Sequence, residues 1–118
     1  MIKLVAFVKR KPGMSEDEFY DHWLNVHGPL IVGTPELSRH IVRYEQLRRT
    51  TAAPWMGTAG YDGVTIQWME SPEAFEAFVS EPKYAELVAP DEARFIDTES
   101  IVWMITEEPV VTKPGPAT

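Results

Sequence analysis

Two stretches of this chain open helices in the same manner, and their placement leaves few folds open. Ser15-Glu16-Asp17-Glu18-Phe19 and Ser71-Pro72-Glu73-Ala74-Phe75 each set a serine before an acidic first turn, with an aromatic residue four positions on. Ser15 and Glu18 have the spacing of a capping box. Pro72 takes the first helical position, where its missing N–H costs nothing. Phe19, Trp23, Val26 and Leu30 continue the first helix at helical spacing, and Phe75, Phe78 and Val79 form the apolar stripe of the second. Four stretches with strand composition surround them, at residues 2–10, 39–49, 64–69 and 100–106. The order is β-α-β-β-α-β, two βαβ halves joined by a β–β link. That order predicts an α+β ferredoxin-like sandwich, a four-stranded antiparallel sheet with both helices on one face. Gly28-Pro29 is expected to stop the first helix and residues 31–38 to form a connection. Pro82 is expected to end the second helix, and Pro90 to close a further turn or two over 83–89. Residues 91–96 allow one more turn.

The face away from the helices carries its own information. A sheet wet on one side alternates apolar and polar residues. The first and last strands do not: Ile2, Leu4, Ala6 and Val8 oppose Val5 and Phe7, and Ile101, Trp103 and Ile105 oppose Val102 and Met104. A single chain of 118 residues has no third layer to cover that second face. A second copy, sheet against sheet about a two-fold axis, covers it. The expected assembly is a homodimer whose two sheets form a dimeric α/β barrel.

Composition narrows the partners. Cysteine is absent, which removes disulfides, thiolate catalysis and cysteine metal sites, and a cytoplasmic location is expected. The net charge of −7 is uneven, with 8 basic and 6 acidic residues in 1–50 against 3 and 12 in 51–118. Neither nucleic acid nor membrane is expected as a partner. Residues 1–108 are expected to form one domain, and 109–118 a proline- and glycine-bearing tail.

The segment Ser15-Glu-Asp-Glu-Phe-Tyr-Asp-His-Trp-Leu-Asn-Val-His-Gly-Pro-Leu30 resembles the EthD family of the dimeric α/β-barrel superfamily. Phe19, His22-Trp23 and His27-Gly28-Pro29-Leu30 carry the likeness. Tyr61-Asp62-Gly63, Trp68 to Phe75 and Asp91-Glu-Ala-Arg-Phe-Ile-Asp97 look like it too. The resemblance implies the fold already reached from patterning. It also implies a cavity between sheet and helices for a small hydrophobic substrate, and an oxidoreductase-related label. Relatives in the superfamily include cofactor-free isomerases, cyclases, decarboxylases and monooxygenases, and some that bind haem.

The candidate site residues follow from position. His22 and His27 stand about 140° apart on a regular helix and so do not share a face. His27 shares a side with Trp23 and Leu30. Two readings stand for it: a general acid/base at the cavity border, or a helix-end cap interacting with the dipole. His22, beside Tyr20 and Asp21, reads as a surface residue. His40 and Tyr44 lie on one face of the second strand and join His27 as catalytic candidates if that face is the inner one. Trp23, Gln67 and Trp68 are candidates for binding substrate. Trp55 and Tyr61 belong to the loop over residues 50–62, which needs a surface to land on, either the cavity mouth as a lid or the dimer seam. Glu70, Glu73, Glu76, Glu81, Glu86, Asp91 and Glu92 read mostly as a solvated face.

These residues predict a small enzyme that needs no cofactor and uses histidine acid/base chemistry on an aromatic, polyketide-like or lactone metabolite. The alternatives are a non-catalytic dimeric module that binds a small molecule and, third, a haem-binding dimer.

Overall fold

The computed structural model describes residues 1–116. Strand β1 (Ile2–Val8) leads to helix α1 (Glu16–His22), a π-helical turn (Trp23–His27), α2 (Gly28–Val32) and the short α3 (Pro35–Ser38). Strands β2 (Arg43–Arg48) and β3 (Gly63–Met69) follow, then α4 (Pro72–Ser80) and a second π-helical turn (Tyr84–Val88). Helix α5 (Ala89–Phe95), a 3₁₀ turn (Thr98–Ser100) and β4 (Val102–Thr106) complete the order. The strands lie in the order β2-β3-β1-β4, all neighbours antiparallel, as the ferredoxin-like reading requires.

Both helix starts are built as their sequences suggest. Ser15 Oγ accepts from the Glu18 N–H and Glu18 Oε1 accepts from the Ser15 N–H, each at 3.1 Å. Ser71 Oγ accepts from the Ala74 N–H at 3.2 Å.

The prolines behave differently from expectation. The first helical run does not end at Gly28-Pro29 but continues to Val32. The Gly28 N–H reaches back five residues to the Trp23 carbonyl, the wide bond of a π turn. Pro90 is likewise passed, because the Ala89 N–H bonds the Tyr84 carbonyl five residues back. A proline inside a regular helix crowds the preceding turn and leaves a carbonyl without its donor. One wide turn ahead of the proline relieves that crowding and lets the helix go on. The stretch 31–38 is therefore largely helical, and β2 starts later than residue 39 because α3 intervenes.

Leu4, Ala6 and Val8 of β1 and Thr65, Gln67 and Met69 of β3 point under the helices and are buried. Cross-strand pairing puts Tyr44 opposite Gln67 and Gln46 opposite Thr65, so the inner face of β2 is the one that carries Tyr44. Two apolar clusters fill the layer between sheet and helices. One gathers Ile2, Ile31, Leu37, Met69, Phe78 and Val88; the other gathers Val8, Phe19, Tyr20, Trp23, Phe95 and Ile96. On the opposite face Phe7, Leu47, Val102 and Met104 are exposed, Met104 at 62%. Residues 109–116 carry no helix or strand and are exposed; the last two positions of the expected tail lie outside the described residues. No helix among the described residues is long and apolar enough to cross a membrane.

Candidate active site

A small cavity of about 40 Å³, partly open to solvent, lies between the inner face of the sheet and the helices. Trp23, His27, Tyr44, Gln67, Tyr84 and Glu92 bring its polar and aromatic groups. Aliphatic and aromatic side chains of both apolar clusters make up most of the remaining wall.

His27 is 5% exposed and Asp91 2%. His27 Nδ1 lies 2.8 Å from Asp91 Oδ2, and His22 Nε2 lies 2.9 Å from Asp91 Oδ1. Arg94 adds a longer contact to Oδ1 at 3.3 Å. The two histidines thus share one carboxylate, although on a regular helix they would diverge. The π turn between them is the reason, since its bonds join residues five apart and bring positions 22 and 27 to one side. The fully buried Phe95 ring packs beneath both, with centroids at 4.6 Å from His22 and 4.9 Å from His27.

The protonation pattern follows from these contacts. Burial alone would raise Asp91, but hydrogen bonds from His27 and His22 outweigh it and hold the carboxyl below its ordinary value. An ionised carboxylate only accepts, so His27 Nδ1 and His22 Nε2 both donate. Burial pushes the His27 pKa down against the opposing pull of Asp91. His27 is then neutral near pH 7, with its proton on Nδ1 and a lone pair on Nε2. Among the described residues the ring's side-chain hydrogen bond is the one at Nδ1, which leaves Nε2 unengaged.

A second polar group stands in the same cavity. The Tyr84 hydroxyl donates to Glu92 Oε1 at 2.7 Å. Burial raises Glu92, the Asp91 charge adds to this, and the Tyr84 bond opposes it. Burial, the largest cause, pushes both Tyr44 and Tyr84 far above the usual phenol range, so both are neutral donors. Gln67 Oε1 is buried without a partner among the described residues.

The structure therefore brings four of the candidates, His27, Tyr44, Trp23 and Gln67, to one cavity, and places four elsewhere. His40 pairs with Glu81 at 2.7 Å, where Arg39 also binds, because the turn after α3 carries it to the end of α4 and away from the cavity. Trp68 points to the outer face, since period-two alternation sets it opposite Gln67. There Lys3 and Arg43 pack against its ring. Trp55 is 79% exposed and covers nothing in this chain. The Tyr61 ring meets Phe7 on the outer face, at 5.8 Å between centroids, and its hydroxyl donates to the Ser100 carbonyl at 2.9 Å. Tyr61 lines a shallow apolar concavity there with Phe7, Leu47, Val64 and Val102. The loop is thus not a lid on the helix-side cavity.

Asp91, Glu92, Tyr84 and His22 are the site residues that sequence reasoning passed over. Asp91 and Glu92 fell among the acidic residues read as solvated; Tyr84 sits on a π turn and His22 directly precedes one, a geometry that no spacing rule reveals. A signal was present in Asp91-Glu92-Ala93-Arg94-Phe95, where Asp91 and Phe95 stand at the same-face spacing of a helix. Among the described residues no group of three histidine, aspartate or glutamate side chains is arranged to hold a metal ion.

Fold and site together define a ferredoxin-like α+β protein with a histidine–aspartate pair in a small cavity between its sheet and helices. Residues 11–99 match the EthD domain model, and the chain belongs to the EthD family. It is 30% identical over 105 residues to "Dehydratase ustZ" of Ustilaginoidea virens, covering 81% of this chain and 75% of that protein. It is also 30% identical over 107 residues to "Conidial pigment biosynthesis dehydratase EthD" of Metarhizium robertsii, covering 82% of this chain and 73% of that protein. Among solved structures, a dimeric ferredoxin-like protein of unknown function from Bacteroides fragilis superposes with a TM-score of 0.68 at 12% identity, covering 91% and 95% of the two chains.

Proposed function

We propose that this chain is a cofactor-independent enzyme in which His27 acts as general acid/base on a small hydrophobic metabolite of aromatic, polyketide-like or lactone type. One observation carries the reading: His27, buried in the cavity wall, donates Nδ1–H to Asp91 and leaves Nε2 free. That arrangement suits removal of a proton from carbon next to a carbonyl, with Asp91 steadying the imidazolium that forms. The neutral Tyr44 hydroxyl and the Gln67 amide line the same cavity and would hold the carbonyl or enol oxygen. The dehydratase names of the two relatives support loss of water as the overall reaction. The exposed apolar outer face supports a homodimer as the working form.

The test is turnover of a bicyclic aromatic β-hydroxy ketone, a compound that yields a naphthol on losing water, followed by absorbance. His27→Ala is expected to lower kcat by about 10²–10⁴-fold while the dimer stays folded. If His27→Ala melts the protein and activity per folded molecule is unchanged, His27 is a structural cap and the proposal fails.

A further inference from the structure

Glu92 stands in the cavity without a charge partner to explain it. Glu92 is half-buried, and the hydrogen bond its carboxyl makes is the one Tyr84 donates to Oε1 at 2.7 Å. The groups that face it are Tyr84 and Asp91 from its own helical run, Tyr44 from β2, and Gln67 and His27 across the cavity. None of these is a fixed positive charge. A carboxyl in such surroundings favours its neutral form, since burial penalises the ion and the neighbouring Asp91 adds to the penalty. Position adds a second argument. Asp91 and Glu92 are adjacent on α5, so Asp91 turns to His27 while Glu92 turns into the cavity. One helical turn thus supplies the partner of a neutral base and, beside it, an acid. Two titratable groups whose surroundings favour opposite proton occupancies make an acid–base pair.

We infer that Glu92 is the general acid of the cavity, protonating a departing hydroxyl while His27 takes the carbon-bound proton, and that the substrate is a hydrophobic β-hydroxy carbonyl compound. The inference rests on the acid/base reading of His27 given above. His27 Nε2 removes the proton on the carbon next to the carbonyl, and the freed C–H electron pair becomes the new C=C bond. The β-carbon–oxygen bond breaks with its pair on oxygen, and the Glu92 proton joins that oxygen to release water. The proton left on His27 returns to the Glu92 carboxylate through solvent. Tyr84 is a positioning residue, holding one carboxyl oxygen so that the other faces the leaving group.

Glu92→Gln keeps the shape and the acceptor for Tyr84 but carries no transferable proton. With the bicyclic β-hydroxy ketone, this variant is expected to lose water elimination by about 10²-fold or more. Deuterium exchange at the carbon next to the carbonyl should persist, because His27 still works. The corresponding β-acetoxy ketone, whose leaving group needs no proton, should still be eliminated at close to the unmutated rate. Should Glu92→Gln fail to fold, Glu92→Asp, which draws the carboxyl back from the cavity, must show the same selective loss. Unchanged elimination of water by either folded variant overturns the role of Glu92 and leaves the reading of His27 standing. If the unmutated protein neither exchanges nor eliminates, the reading of His27 fails, and the inference fails with it.

Discussion

His27 and Asp91 form one electrostatic unit, and their stability terms act in the same direction on acidification. The His27 pKa is depressed by burial, so below 6.5, its ordinary value, the unfolded chain takes up a proton that the folded chain resists. Stability therefore falls as pH drops through that window. The Asp91 pKa is depressed as well, so its contribution is present above its ordinary value of 3.8 and is lost as pH falls below it. Denaturant midpoints are expected to be lower at pH 5 than at pH 7, and His27→Gln should flatten that difference. An equal slope in the variant would remove His27 as the cause. Asp91→Asn replaces the shared carboxylate by an amide that offers only one acceptor oxygen to two donating histidines. The expected cost is about 1.5–3 kcal/mol, the value of a hydrogen bond to a charged group, read from chemical denaturation. The same variant should lower turnover steeply by freeing His27 to adopt the wrong tautomer.

At the scale of elements, the two halves of the chain repeat more than their helix caps. Each helical run contains one π turn followed directly by an X-Pro pair, Gly28-Pro29 in the first and Ala89-Pro90 in the second. Each also brings a cavity residue, His27 or Tyr84. The caps were legible because capping is a local hydrogen bond between residues three apart. The π turns were not, because glycine and proline are ordinary stop signals, and continuation depended on the sheet packed beneath. Gln46, reaching from β2 to donate to the Trp23 carbonyl at 2.8 Å, is part of that support. Close approach explains Gly63 at the start of β3. A Cβ there would run into the Trp23 ring and come within 3.0 Å of the Leu47 carbonyl. Gly63→Ala is expected to destabilise by about 1–3 kcal/mol, the usual cost of overpacking, and a thermal melt will show whether the midpoint drops by several degrees.

For the whole molecule, the outer face of the sheet decides the assembly. Phe7, Leu47, Val102 and Met104 lie exposed together on it, and Tyr61 of the 50–62 loop joins its rim. Of the loop that reads as either lid or seam, Tyr61 lies against this outer face, where a second copy would sit. A second copy seated on this face would bury that surface, as the patterning of β1 and β4 anticipates. The expectation is a homodimer in dilute solution. Val102→Asp should separate it while leaving each chain folded, since Val102 is an exposed edge-strand residue in the single chain. Val5→Asp sits on the central strand and should cost more, because it puts an unpaired charge under the seam. Light scattering at micromolar concentration checks both, and a monomeric unmutated protein would sink the idea.

Local chemistry determined the order of elements, the two helix starts and the two-sided apolar patterning of the first and last strands. Each of these is written in residues two to four positions apart, within reach of a spacing rule. The same periodicity put His27 beside Trp23, and Tyr44 on one face of its strand. It left open which face was inner, and that was decided only by the pairing of Tyr44 with Gln67 beneath the helices. The union of His22, His27 and Asp91 was also beyond local reading. It joins residues 64 and 69 positions apart, and it requires a π turn whose wide bonds are stable only where packing holds them. The same packing turned Glu92 from an apparent surface charge into a cavity carboxyl, because burial depends on what the rest of the chain places over a residue.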